Sequence, residues 1–245
     1  MNHLCFADLP YEKQAFALKD IITSNSEMMD LLYCLRQMAL PDDWIVSGAI
    51  YNNLWNYLTG RPWMHGVKDV DVFYFDQTNL SYEAEDEKIK QSESVFAQRP
   101  VPLELRNQAR VHLWYKDHFG HAYPALSSSC EAIDRFASIT HSVGVRLNAK
   151  DQLELYAPYG LNEVFSFRIA PNYLLNNAAT YAQKAQRAKK HWPELTIVPW
   201  EPDPAVKPAG LSRHQAPSPQ ARASGLGLAV SRRRQKVQND RQLRR

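Results

Sequence analysis

The 245-residue sequence predicts an α+β fold, a short mixed sheet with helices on one side. Three observations lead there. The run VDVFYF at 70–75 alternates at its start, with Val70, Val72 and Tyr74 on one side and Asp71, Phe73 and Phe75 on the other, as a half-buried strand does. Amphipathic helical patterns open the chain, and an Ala- and Lys-rich one closes its apolar part. Hydrophobic residues at 44% and charged residues at 22% match a globular chain with a sizeable core.

The elements follow in order. Residues 12–23 and 26–39 predict helices, the second capped by Ser26 and striped by Met28, Leu31, Leu32 and Leu35, with Pro41 ending it. A short strand at 44–47 runs into Gly48. Residues 49–59 then read as a helix stopped by Gly60 and Pro62. After the 70–75 strand comes a charge-rich surface helix at 81–98. Residues 101–105 and 111–115 read as two further strands, with 107–110 turning between them. A short helix is expected over 131–136, capped from 127–129. A hairpin is expected over 142–147 and 153–156, then a turn and apolar segment at 160–172, and a last helix over 174–191.

After Pro199 the composition changes. Five prolines fall within 202–219, and the end is rich in arginine. Residues 203–245 hold ten Lys/Arg against two Asp, a net +8, and too few large apolar residues for a core. The expected division is a domain over 1–202 and a disordered basic tail over 203–245. The rest of the chain carries a net −5, which argues against a broad duplex-binding surface on the body. The tail predicts at most weak nucleic-acid contact. No apolar run reaches membrane-spanning length, and the opening MNHLCFADLPYEKQAF has no basic start and apolar stretch of a secretory signal. Cys5, Cys34 and Cys130 are isolated and odd in number, so reduced thiols and a cytoplasmic location are expected.

The chemistry concentrates at Asp69-Val-Asp71. Two carboxylates two residues apart on a strand face one way and repel unless a cation lies between them. A hard divalent ion, Mg²⁺ or Mn²⁺, is the natural counterion. Glu104, between Leu103 and Leu105, offers a third carboxylate, and such a trio can hold two metals that clamp the oxygens of phosphoryl transfer. A bare DxD is usually an ordinary half-exposed strand. Here it follows Ser47-Gly48-Ala49 at a strand-to-helix junction, where backbone N–H groups can approach phosphates.

In this order of elements, GAIYNNLWNYLTGRPWMHGVKDVDVFYFD resembles the nucleotidyltransferase superfamily that includes DNA polymerase beta and the CCA-adding enzymes. The chain is more closely similar to a bacterial family of predicted nucleotidyltransferases with no assigned substrate. LELRNQARVHLWY, SVGVRL, YAPYGLNEVF, RIAPN and HWPEL extend the likeness over about residues 25–200. The resemblance implies a polymerase-beta-like fold, Asp69, Asp71 and Glu104 as ligands of two metals, and Ser47, Gly48 and Ala49 as the cradle of an NTP triphosphate. The GGxVRD pattern of CCA-adding enzymes is altered, with Ala49 for one glycine and Tyr51-Asn52 for Arg-Asp.

Asn107 and Arg110 are further nucleotide-binding candidates, able to orient Glu104 or reach phosphates; the alternative is a turn pinned by side-chain hydrogen bonds. Lys184, Arg187 and Lys190 recur along the last helix and either grip a triphosphate, Lys184 foremost, or form a solvated face. Trp55, Trp63, Tyr74 and Trp114 read as core, and His65, His118, His121 and His141 show no ligand spacing. The expected activity moves a nucleoside monophosphate from an NTP to an acceptor hydroxyl with release of pyrophosphate. The acceptor, a small molecule, an RNA end or a protein, is open. A non-catalytic nucleotide-binding module and a nucleic-acid binder acting through its tail are the other readings.

Overall fold

The computed structural model describes residues 2–201 apart from 98, 100 and 121, with the backbone alone at 118 and 119. The tail expected over 203–245 lies outside the described residues.

Helix α1 (Tyr11–Thr23) buries Leu18, Ile21 and Ile22. Helix α2 (Ser26–Gln37) buries Met28, Leu31, Leu32 and Leu35, the i, i+3, i+4, i+7 stripe of a core-facing helix. Its cap is Asn25 rather than Ser26, with the Asn25 side chain accepting from the Met28 N–H at 2.8 Å. Strand β1 (Trp44–Val46) is wholly buried and leads directly into α3 (Gly48–Thr59), which Gly60 ends in the left-handed region. Then come β2 (Val70–Tyr74), α4 (Tyr82–Val95) and β3 (Leu103–Asn107), with Ser81 capping α4.

The region expected to form a strand at 111–115 is instead helix α5 (Val111–Phe119). Its β-branched and aromatic residues fit a strand by composition, but local hydrogen bonding decides otherwise. The Asn107 side chain accepts from the Ala109 N–H and starts a tight turn over Gln108–Arg110 that feeds the helix. Val111 and Tyr115 then fall on one buried face, and Gly120 closes the helix at φ 80°.

Short α6 (Ser129–Ile133) precedes the hairpin of β4 (Gly144–Leu147) and β5 (Leu153–Tyr156). The 160–172 segment resolves into α7 (Asn162–Phe165) and β6 (Arg168–Ile169). Helix α8 (Ala178–His191) starts later than expected, and β7 (Thr196–Ile197) pairs in parallel with β6.

The main sheet runs β3-β2-β1-β4-β5. It is mixed: β1 is antiparallel to β2 and β4, β4 to β5, and β2 is parallel to β3. Ile45, Val70, Val72, Leu105 and Val145 face the large core shared with α1, α2 and α3. Trp44, Val46 and Phe73 face a smaller core closed by Leu126, Ala132 and Ile133. Among the described residues no helix is long and apolar enough to cross a membrane.

Candidate active site

Strand register brings the predicted carboxylates together. Asp71 pairs with Glu104 on β3 and, on its other side, with Val46, the last residue of β1. Directly paired residues share a face, about 4.8 Å apart. Asp71 therefore faces the side of Phe73 and Val46, with Glu104 beside it and Asp69 at the strand's entrance. The Ser47 turn follows Val46 immediately, so the turn and all three carboxylates meet at one edge of the sheet.

Nearby cations offset this charge only in part. Burial, with Asp69 adding to it, pushes the Asp71 carboxyl up to about 6, against the pull of Lys184, Arg106 and Lys68. Glu104 is pushed up to about 7 by burial and by Asp69 and Asp71. Lys68 Nζ donates to Asp69 Oδ2 at 2.8 Å and is itself held above its ordinary value by that bond. Half-buried Lys184 is pulled below the usual lysine range by burial, although Asp71 favours its charge. Arg187, one turn further along α8, adds an exposed cation.

The turn is unusual for a non-glycine residue. Ser47 has φ 57° and ψ −116°. Its N–H donates to Val143 O at 2.8 Å, and its carbonyl accepts from Ile50 and Tyr51 N–H at 2.9 and 3.2 Å. Gly48 and Ala49 N–H thus lie ahead of the first helical bond, free to meet an anion. A Cβ on Gly48 would stand 3.4 Å from Asn52 Nδ2 and 4.0 Å from the Tyr51 hydroxyl.

The floor of the turn differs from an Arg-Asp pair. Tyr51 is buried, hydrogen-bonded to Ser47, and its hydroxyl is pushed up to about 12 by burial. Its ring stacks on His141 at 4.7 Å between centroids. Both His141 ring nitrogens are buried without a hydrogen-bond partner, as is Asn52 Oδ1. Burial holds His141 well below its ordinary value, and Lys184 and Arg187 add to that. Unpartnered polar atoms grouped beside the turn mark a place where the protein alone leaves hydrogen bonds unmade.

The oxygen donors, their shared face and their uncompensated charge fit a hard divalent cation. The side chains are not drawn around one point: among the described residues no group of three or more His, Cys, Asp or Glu could hold a metal as it stands. Asp69 is turned to Lys68 instead, a half-exposed pair that can rotate apart.

Asn107 and Arg110 are not brought to this edge. Asn107 ends β3, three residues beyond Glu104, opposite Tyr74. Its side chain accepts from Asp76 N–H at 3.0 Å and donates to Asp76 O at 2.8 Å. Arg110 Nε donates to Leu80 O at 2.8 Å, and its guanidinium forms a buried ion pair with Glu85. These bonds pin β3 to the loop after β2 and to α4. Sequence reasoning passed over Arg106 and set His141 aside as a histidine without ligand spacing. Strand alternation from Glu104 could have placed Arg106 on the site face; nothing local could have placed His141 under Tyr51.

Known proteins give an independent comparison. A family described as nucleotidyltransferase matches residues 33–197. A solved structure described as an NMR structure revealing a CCA-adding enzyme head domain is 26% identical, covering 74% of this chain and 94% of that one, with a TM-score of 0.62. No curated protein matches the chain. Since the family match spans well over half of the sequence and the fold is that of a CCA-adding head domain, the chain belongs to the nucleotidyltransferase family and is an enzyme.

Proposed function

We propose that the enzyme moves a nucleoside monophosphate from an NTP to an acceptor hydroxyl, at a site built on Asp69, Asp71 and Glu104. The observation that carries this reading is the pairing of Asp71 with Glu104 beside the Ser47 turn, with proton affinities raised by burial and by the neighbouring carboxylates. Mg²⁺ or Mn²⁺ would be held by the three carboxylates, where it supplies electrostatic stabilisation of the phosphoryl oxygens.

The chain's own residues do the rest. Gly48 and Ala49 N–H, at the positive end of α3, receive the terminal phosphates, which Gly48 admits by having no Cβ. Lys184 and Arg187 face the same phosphates from α8 and offset their charge. Glu104 faces the acceptor hydroxyl and takes up its proton as the oxygen attacks the α-phosphorus. The bond to the β-bridging oxygen breaks, and pyrophosphate leaves. Asn107 and Arg110 hold β3 in register and so keep Glu104 beside Asp71. Residues 203–245, with their net +8, would add weak, salt-sensitive contact with nucleic acid.

The test is transfer of label from each α-labelled NTP, with Mg²⁺ or Mn²⁺, to components of a cell extract. Label should appear on one acceptor class with wild type and not with Asp71→Ala. Millimolar Mn²⁺ with NTP should also raise the melting temperature of wild type. No labelling and no shift would overturn the reading.

A further inference from the structure

Beyond the carboxylates, the face of β2 that carries Asp71 also carries Phe73, two residues further on and about 7 Å along the strand. Phe73 is buried, and Phe136, in the turn after α6, stacks on it with centroids 5.5 Å apart and planes 18° from parallel. Phe136 is only partly buried. Lys184 Nζ lies 6.0 Å from the centre of its ring. The same Lys184 is electrostatically coupled to Asp71, Asp69 and Glu104. Phe136 thus stacks on the aromatic neighbour of Asp71 on β2 and lies near the cation whose charge is felt by the carboxylates.

We infer that Phe136 is the stacking platform for the nucleobase of the NTP, a base-binding residue for the proposed reaction; this rests on the nucleotidyl-transfer site proposed above. The ribose bridges the step from the Asp71 edge, where the α-phosphate lies, to the ring. Lys184, whose Nζ lies 6.0 Å from the ring centre, turns to the phosphates and leaves the base a π-face backed by Phe73. Tyr51, the aromatic bonded to Ser47, is buried and already stacked on His141, so it offers no comparable face. A ring face reads base area rather than hydrogen-bonding edges, so stacking here would be tolerant of base identity. Purine NTPs should bind somewhat tighter than pyrimidine NTPs.

The experiment compares equilibrium binding of ATP, CTP and inorganic tripolyphosphate, in Mg²⁺, to full-length wild type, Phe136→Leu and Phe136→Trp. Tripolyphosphate has no base, so it reports the phosphate cradle alone. Phe136→Leu should weaken ATP about tenfold and leave tripolyphosphate within about twofold. Phe136→Trp should hold or tighten ATP, which guards against a misfolded leucine variant. Equal weakening of ATP and tripolyphosphate would reduce Phe136 to a cover of the small core and overturn the inference, as would unchanged ATP binding. Wild type that binds tripolyphosphate as well as ATP would also overturn it while sparing the phosphate cradle. Wild type that binds neither would sink the proposed site itself, and the inference with it.

Discussion

At the far end of β3, Arg110 and Glu85 form a buried ion pair, and the Asn107 side chain is hydrogen-bonded to Asp76 and Ala109. At the near end of the same two strands, Asp71 and Glu104 lie side by side with raised proton affinities, and Asn52 and His141 leave polar atoms unpartnered. The residue types are alike, carboxylates, arginines and an asparagine. What differs is whether the protein completes their interactions by itself. A completed network stabilises the fold; an incomplete one is what a ligand can complete. The contrast separates architecture from chemistry on one sheet without appeal to sequence alone.

The sharpest way to break the contrast is at the incomplete end. Asp71→Ala should lower transfer about a thousandfold or more, because removing one group from a site that acts as a unit removes most of its effect. It should leave the fold intact. A labelled-NTP assay alongside a thermal melt would show it, and an active variant would contradict the assignment.

Arg110→Ala should do the reverse. Leaving Glu85 buried without its partner should cost about 3–5 kcal/mol of stability in urea unfolding. Under conditions where the variant remains folded, tripolyphosphate binding should stay near that of wild type. A stable variant with weakened anion binding would move Arg110 back into the site.

The pH dependence sharpens the same comparison. Asp71 and Glu104 hold protons more tightly folded than unfolded. Their stabilising effect is therefore full below the unfolded carboxylate range near 4 and is lost as pH rises through about 6 to 7. Asp43, also raised to about 6 by burial, contributes in the same sense. The informative quantity is the difference between Asp71→Asn and wild type, metal-free. The variant should gain on wild type as pH rises from 4 to 7, and a pH-independent difference would refute the account.

Gly48→Ala should have the smallest effect on folding. The new Cβ meets only ordinary contacts, and melting should stay equal or rise by the equivalent of about 0.5 kcal/mol. Tripolyphosphate affinity should nonetheless fall about tenfold, because the methyl stands over the turn. Unchanged affinity would place the phosphates elsewhere.

Local pattern made a large part of this legible. The stripe Met28, Leu31, Leu32, Leu35 specifies a helix wherever it docks, and the alternation from Val70 specifies a strand that carries Asp71. The misread element, 111–115, shows the limit. Valine, leucine, tryptophan and tyrosine favour a strand by shape, yet a side-chain cap from Asn107 four residues upstream turns the chain into a helix. Asn107 and Arg110 were ambiguous because their partners, Asp76, Leu80 and Glu85, lie 22 to 31 residues away.

The sequence by itself determined the DVD strand, the small-residue turn before α3 and the apolar stripes, since periodicity and backbone freedom are properties of neighbouring residues. Only the tertiary structure decided that Glu104 pairs with Asp71, that Lys184 rather than Asn107 or Arg110 shares the carboxylate edge, and that His141 lies unsatisfied beneath Tyr51. Those facts depend on strand register and on the docking of α8. Both are settled by burial summed over the whole core, which no short stretch of sequence contains.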